Sequence, residues 1–180
     1  MKIVPTTLPD VVVLEPRVFE DARGFFFESY NERELNKELG FPTHFVQDNH
    51  SRSGRNVLRG LHYQVVRPQG KLVRVIEGEI FDVAADIRAG SPTFGQWTGQ
   101  FLSAENRKMM WIPAGFAHGF VVVSDWAEVL YKTTDYYEPG YERSIAWDDT
   151  DLGIQWPLTE PPILSDKDKA AVSLKMASFE

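Results

Sequence analysis

The sequence predicts a mainly β protein built as an antiparallel sandwich or barrel. From residue 45 onward, short runs rich in β-branched and aromatic residues recur at close spacing. Glycine and proline turn signals separate these runs, as at Gly90-Ser91-Pro92 and Pro139-Gly140. Many short strands with regular turns are typical of all-β sandwiches and barrels. The chain has no glycine-rich dinucleotide fingerprint and no phosphate-binding loop, so a doubly wound α/β fold and nicotinamide or ATP chemistry lack support.

Composition limits the class of protein further. The 180 residues are 43% hydrophobic, which is enough for one packed domain. A formal net charge of −7 argues against broad nucleic-acid binding. Without cysteine there can be no disulfide scaffold, thiol nucleophile or cysteine-based zinc site. Residues 1–5 are too short a run for a signal peptide, and no apolar run can cross a bilayer, so we expect a cytoplasmic protein.

We expect a single domain with three regions. Residues 1–45 carry N-terminal strands and one helix, residues 46–147 form the barrel core, and residues 148–180 form a C-terminal link and a short helix. In the first region, strands are predicted over 11–14 and, after a turn at 21–24, over 25–30. A helix is predicted over 32–39, with Asn31 as its N-cap and Gly40 as its stop.

The barrel region is predicted to consist of nine short strands. They cover residues 45–49, 57–64, 72–77, 80–87, 95–102, 109–113, 119–123, 129–134 and 144–147. Gly78-Glu79 predicts a tight hairpin between the third and the fourth of them. In the tail, Ser165 is the expected N-cap of a short helix, with Asp168 in the glutamate position of a capping box.

Two histidine stretches resemble the two sequence motifs of a cupin, or double-stranded β-helix, barrel. They are Gly60-Leu61-His62-Tyr63-Gln64 and Pro113-Ala114-Gly115-Phe116-Ala117-His118. A metal-binding cupin offers a second histidine and a downstream glutamate from the first stretch, where this chain has Gln64 and then Gln69. A carboxamide is a poor ligand for transition metals, so we expect no metal and no other cofactor.

A cupin-like pocket without a metal works by proton transfer and charge. His62 is a candidate general base, Asp168 can hold its imidazole, Lys71 can stabilise an oxyanion, and Tyr131 can return a proton from the opposite side. Strand alternation puts Arg59 and His62 on different faces, so they share a pocket only if the strand bends at Gly60. Lys71, Val73 and Val75 share one face, with Lys71 at the strand mouth rather than sealed inside.

Over nearly its whole length the chain resembles the dTDP-4-dehydrorhamnose 3,5-epimerase family of the cupin superfamily. The resemblance is carried by ordered motifs at residues 21–31, 47–49, 57–64, 68–73, 112–120, 131–137 and 164–168. It implies inversion of C3 and C5 of dTDP-4-dehydro-6-deoxy-D-glucose through an enolate, in dTDP-L-rhamnose biosynthesis for a cell-surface polysaccharide. His62 would be the base, oriented by Asp168, with Tyr131 the opposite-face acid and Lys71 beside the C4 oxygen.

The resemblance also implies a substrate-binding set and a homodimer. The set comprises Phe19, Arg23, Phe26, Glu28, Gln47, Asn49, Arg59, His118, Tyr137, Glu142 and Lys167, with Tyr137 stacked on the thymine. N-terminal strands are expected to cross between subunits, with residues 11–14 as the exchanged edge strand, so that Phe19 or Arg23 can serve either site.

Other interpretations remain open from sequence. His62 can be an inert strand histidine, the tyrosines packed aromatics, Arg23 and Glu28 a surface ion pair, and Asp168 only a helix-capping acid. A C3-only epimerase or a 3,4-ketoisomerase would use similar residues. A non-catalytic sugar-nucleotide-binding cupin and a metal-dependent oxygenase are alternatives of other classes.

Overall fold

A computed structural model describes residues 1–179 of the chain. The strands are β1 Lys2–Pro5, β2 Val12–Glu15, β3 Phe19–Asp21, β4 Gly24–Phe26, β5 Gln47–Gly54, β6 Leu58–Gln64, β7 Lys71–Glu77, β8 Glu79–Asp86, β9 Trp97–Ser103, β10 Met109–Ile112, β11 Phe116–Val122, β12 Trp126–Thr133 and β13 Glu142–Ser144. The helices are α1 Glu32–Leu39 and α2 Asp166–Lys169, followed by a 3₁₀ turn at Leu174–Met176. The mainly β prediction is confirmed.

Two antiparallel sheets face each other around the main core. One has six strands in the order β1-β2-β10-β7-β12-β5, and the other has five in the order β13-β6-β11-β8-β9. Val73 and Val129 of the first sheet pack in one buried cluster with Ile80 and Phe120 of the second. Alternation along each strand sends its apolar residues to this shared interior. The arrangement leaves an enclosed space between the sheets.

The outer faces of both sheets are also covered. Leu35 of α1 packs with Leu14, Leu72 and Trp111 over the six-stranded sheet. The C-terminal segment covers the other sheet, where Leu152 and Leu174 are buried in a cluster with strand residues. The N-terminal strands β1 and β2 form one end of the six-stranded sheet, and the other four strands of that sheet fall within residues 47–133.

Helix α1 has the predicted bounds and caps. The Asn31 side chain accepts a hydrogen bond from the Glu34 N–H, and Gly40 adopts the left-handed conformation with its N–H donated to the Asn36 carbonyl. Both caps satisfy backbone groups that a helix end leaves unpaired. Local chemistry therefore sets both ends of this helix, and the packing of Leu35 holds it on the sheet.

Four strand predictions were wrong. The strand predicted over residues 144–147 is β13 Glu142–Ser144, which ends three residues earlier. The predicted strand 25–30 ends at Phe26, and Gly78-Glu79 does not form a hairpin, because β7 and β8 belong to different sheets. A side chain at Gly78 would have its Cβ 2.0 Å from the Trp126 carbonyl oxygen, so the glycine serves a crossing between sheets. Residues 11–14 do not supply a sheet edge, since β2 lies between β1 and β10, and β1 is the edge strand.

The predicted bend at Gly60 is confirmed. The register between β6 and β11 shifts where Gly60 lies, with His118 opposite His62 but Phe120 opposite Arg59. Gly60 has φ +128°, and a Cβ there would lie 2.5 Å from the Gly119 Cα. Only glycine tolerates both conditions. The irregularity brings Arg59 and His62 to the same cavity.

The C-terminal helix begins at the predicted cap. The Ser165 hydroxyl accepts from the Asp168 N–H at 3.1 Å. The Asp168 carboxylate does not close the predicted capping box by returning to the Ser165 N–H; instead its Oδ2 accepts from the Ser165 hydroxyl at 2.7 Å. Within residues 1–179, no helix is long and apolar enough to cross a membrane.

Candidate active site

A cavity of about 280 Å³ opens between the two sheets at one end of the barrel. It collects side chains from six strands and from α2. Nine residues singled out in the sequence line it: Asn49, Arg59, His62, Lys71, His118, Tyr131, Tyr137, Glu142 and Lys167. Ligand pockets are typically concave with a few convergent polar groups, and this one fits that description.

His62 is held by a buried carboxylate. Its Nε2 lies 2.5 Å from Oδ1 of Asp168, whose side chain is only 3% exposed. Burial alone would raise the pKa of Asp168, but hydrogen bonds from His62 and Ser165 outweigh it and keep the pKa below the ordinary value. An ionised carboxylate accepts only, so Nε2 carries a proton, and in the neutral ring Nδ1 presents a lone pair.

Lys71 is a buried cation in the same cavity. It is 7% exposed, which corrects the expectation of a charge left open at the strand mouth. Its Nζ donates to the His62 carbonyl at 3.3 Å. Burial lowers its pKa to about 8, although the negative charges of Asp82 and Glu142 favour the protonated form. The ammonium is therefore weakly solvated and available to a developing negative charge.

Tyr131 lines the same cavity as His62 but comes from the opposite sheet. Tyr131 lies on β12 of the six-stranded sheet, whereas His62 lies on β6 of the five-stranded sheet. Burial and the nearby Glu142 charge raise the pKa of Tyr131, partly offset by Arg59. Its hydroxyl therefore keeps its proton. The cavity thus has a proton acceptor on one wall and a proton donor on the other.

A second histidine–aspartate pair lies beside the first. His118 is opposite His62 in the β6–β11 register, and its Nε2 is 2.7 Å from Oδ1 of the fully buried Asp82. Burial lowers the pKa of His118 despite the opposing effect of Asp82. Oδ2 of Asp82 has no hydrogen-bond partner among residues 1–179. A neutral His118 donates its Nε2–H to Asp82 and offers Nδ1 as a second polar group.

The cavity mouth carries a linked polar set. The Tyr137 hydroxyl donates to Glu142 at 2.8 Å, and Lys167 donates to the other oxygen of Glu142 at 2.8 Å. Burial would raise the pKa of Glu142, but these hydrogen bonds keep it below the ordinary value. Gln47 does not line the cavity; its amide donates to Asn49 at 2.9 Å, which does.

Four predicted substrate contacts lie elsewhere in the chain. Phe19, Arg23 and Phe26 belong to the β3–β4 hairpin and line a separate surface depression. Arg23 pairs with Asp21 at 2.6 Å rather than with Glu28, whose carboxylate accepts from Asn31. The alternative interpretation, an Arg23–Glu28 surface ion pair, therefore does not hold. Within one chain, these residues do not join the site.

Glutamines occupy two positions of the metal-cupin pattern, and their side chains are hydrogen-bonded to backbone groups. The Gln64 amide is hydrogen-bonded to backbone groups, and Gln69 donates to the Asp135 carbonyl at 2.8 Å. No group of three or more histidine, aspartate or glutamate side chains with metal-binding geometry occurs in the part of the chain that the structure describes.

Several site residues were missed from sequence. Ser51 lines the cavity, and alternation with Asn49 along β5 was a usable signal. Asp82 stands out as a charge within an otherwise apolar strand, where Ile80 and Ala84 share its face. Ser53 accepts from the Arg59 Nε at 3.0 Å and directs that side chain, and no local pattern marked it.

Comparisons with known proteins identify the family. The family model described as dTDP-4-dehydrorhamnose 3,5-epimerase matches residues 5–176. The chain belongs to the dTDP-4-dehydrorhamnose 3,5-epimerase family. It is 63% identical over 169 residues to the curated enzyme of that name from Pseudomonas aeruginosa, covering 94% of this chain and 93% of the relative. It is 58% identical over 178 residues to the one from Salmonella typhimurium, covering 98% and 97%.

A solved structure of a 3,5-epimerase has the same fold as this chain. The crystal structure of dTDP-6-deoxy-D-glucose-3,5-epimerase from Legionella pneumophila, in complex with dTDP-4-keto-L-rhamnose, matches with a TM-score of 0.96 and 52% identity. The match covers 98% of this chain and 94% of that one. The predicted cupin-type barrel of the 3,5-epimerase family is thereby confirmed, as is membership of an isomerase family.

The charge balance around Lys71 generates a prediction. Replacing Asp82 by asparagine removes a negative charge that raises the pKa of Lys71, so this pKa should fall below about 8. A ¹⁵N NMR titration of the Lys71 ammonium in wild type and variant measures the change. Asp166→Asn is the control, because Asp166 is exposed and pairs with Lys169. An unchanged or raised Lys71 pKa in the Asp82 variant contradicts this electrostatic description.

Proposed function

We propose that this chain inverts C3 and C5 of dTDP-4-dehydro-6-deoxy-D-glucose to give dTDP-4-dehydro-L-rhamnose. The observation that carries the proposal is the arrangement of His62 with Asp168 on one cavity wall and Tyr131 on the other, with Lys71 buried in the same cavity. The similarity to 3,5-epimerases over 94% or more of the chain supports the same substrate.

The reaction has two similar stages at neighbouring carbons. A ketone at C4 acidifies the hydrogens on C3 and on C5. Nδ1 of His62 takes one of these protons, and the electron pair moves to the C4 oxygen to give an enolate. Tyr131 donates a proton to the other face of the same carbon, and the electrons return from oxygen to carbon. The configuration is thereby inverted. His62 then releases its proton to water and Tyr131 takes one from water, so both groups are reset before a second cycle treats the other carbon.

Lys71 is proposed to stabilise the enolate. A buried ammonium interacts strongly with a developing oxyanion because little water screens the charge. Its pKa of about 8 means that the cation predominates at neutral pH. Loss of the Lys71 proton at higher pH should therefore accompany loss of enolate stabilisation.

The remaining lining residues are proposed to hold the nucleotide. Arg59 and Lys167 supply positive charge for the diphosphate, and the half-exposed Tyr137 ring supplies a stacking surface for thymine. Asn49, His118 and Glu142 offer hydrogen bonds to the sugar or nucleotide. A cytoplasmic location and a role in cell-surface polysaccharide synthesis stay predictions.

Isotope exchange tests the mechanism. In deuterated water, the wild type should introduce two deuterons into the sugar, at C3 and C5, as read by mass spectrometry and NMR. His62→Ala removes the base and should abolish exchange. Tyr131→Phe should retain exchange while inversion falls on the order of 100-fold, because proton abstraction does not require the opposite-face acid.

The control for this experiment is His44→Ala. His44 is exposed and paired with Glu32, so its loss should leave exchange unchanged. Full exchange in the His62 variant would refute the proposed base. Incorporation of one deuteron indicates a C3-only epimerase, and binding without any exchange indicates a non-catalytic sugar-nucleotide-binding protein.

We also propose a homodimer in which the N-terminal region of one subunit completes the site of the other. β3 and β4 pair only with each other among the described strands, and they carry Phe19 and Phe26 with exposed fractions of 50% and 68%. Exposed aromatic residues clustered on one hairpin favour burial in an interface. A partner subunit would also explain why Phe19, Arg23, Phe26 and Glu28 lie outside the cavity of their own chain.

Light scattering tests this assembly. The wild type should have the mass of a dimer, and Phe26→Asp should shift it toward monomer and weaken dTDP binding, because a charge would be buried at the interface. Met176→Asp is the control, since Met176 is 76% exposed and lies near the other end of the chain. A stable monomeric wild type with normal activity would refute the proposal.

A further inference from the structure

We infer that Gln64 is a positioning residue that fixes the backbone on both sides of Tyr137 and thereby presents the Tyr137 ring to the nucleotide base. The inference rests on the proposed role of Tyr137 in nucleotide binding. Gln64 is the last residue of β6, two positions after His62, and is 6% exposed. It occupies the position where the metal-binding cupin pattern has a second histidine.

The Gln64 amide brackets Tyr137. Its Oε1 accepts from the Glu138 N–H at 2.7 Å, and its Nε2 donates to the Tyr136 carbonyl at 3.2 Å. Nε2 also donates to the Arg67 carbonyl at 2.7 Å. One atom thus faces two carbonyl oxygens and the other faces an N–H, which fixes the amide orientation.

This pattern leaves Gln64 little capacity to recognise a ligand. Gln64 lines the cavity, but both N–H groups of its amide are donated to backbone carbonyls, so no donor remains for a sugar or phosphate. Gln64 therefore acts through the loop that it holds. Its burial strengthens this effect, because breaking any of these bonds leaves a buried polar group unpaired.

Tyr137 depends on such support. Its ring is 45% exposed, and its side-chain hydrogen bond goes from the hydroxyl to Glu142. A second glutamine contributes from the other sheet, because Gln47 Oε1 accepts from the Tyr137 N–H at 3.0 Å. The backbone of residues 136–138 is thus held at three successive residues by two glutamine side chains. A ring fixed before binding loses less entropy when a base stacks on it.

The test is a double-mutant cycle read by calorimetric titration with dTDP. Gln64→Leu keeps the side-chain size but removes all three hydrogen bonds, so dTDP affinity should fall on the order of tenfold, as expected for loss of base stacking. Tyr137→Ala should cause a similar loss. The double variant should be no weaker than Tyr137→Ala alone, because both changes remove the same contact.

Kinetics with the sugar nucleotide separate positioning from general damage. KM should rise in Gln64→Leu while kcat stays within about twofold, since His62 and Tyr131 are unchanged. Gln155→Leu is the matched control, because Gln155 is exposed and its amide donates to the nearby Gly153 carbonyl, outside the cavity lining. If Gln64→Leu does not fold, Gln64→Glu replaces it in the double-mutant cycle. The glutamate keeps an acceptor for the Glu138 N–H, but its second oxygen is repelled by the carbonyl oxygens of Arg67 and Tyr136.

Two results of the dTDP titrations would overturn the inference directly. One is unchanged dTDP affinity in the Gln64 variants, and the other is a full additional loss when they are combined with Tyr137→Ala. If the Gln64 variants lower kcat but leave dTDP affinity unchanged, Gln64 supports His62 rather than Tyr137. That result would also reject the inference. If Tyr137→Ala itself leaves dTDP affinity unchanged, the proposed role of Tyr137 fails, and Gln64 loses that role with it.

Discussion

The hydrogen bond between His62 and Asp168 connects two parts of the chain on which the whole site depends. The residues are separated by 106 positions, and the bond joins a central barrel strand to the C-terminal helix. Asp168 stays ionised although buried, because Ser165 and His62 both donate to it. This contact therefore joins the tail to the barrel at the site and fixes which nitrogen of the histidine faces the cavity.

The two-sheet barrel explains why inversion chemistry suits this cavity. Inversion at carbon requires a base and an acid on opposite sides of the sugar, and the two facing sheets supply His62 and Tyr131 from opposite walls. Lys71 is buried in the same cavity, and its burial lowers its pKa to about 8. In the proposed mechanism, side chains from both sheets would therefore carry the proton transfer and the charge stabilisation.

Local sequence patterns predicted the elements that local chemistry determines. Helix α1 matched in both bounds because Asn31 and Gly40 are specific capping residues. The crossing at Gly78 was missed, because a glycine turn does not reveal which sheet receives the next strand. Asp82 and the contacts of Gln64 were missed for a related reason. Their partners are distant in sequence, at His118 and at residues 136–138, and only the tertiary fold brings them together.

The central claim is that Asp168 holds His62 in the tautomer that leaves Nδ1 free to take a proton. ¹⁵N NMR of the His62 imidazole, in protein labelled at histidine and at a pH where the ring is neutral, tests it most directly. We predict a protonated Nε2 with a strong hydrogen bond to Asp168 and an unprotonated Nδ1. A ring protonated at Nδ1, or a spectrum unchanged in Asp168→Ala, would contradict the account.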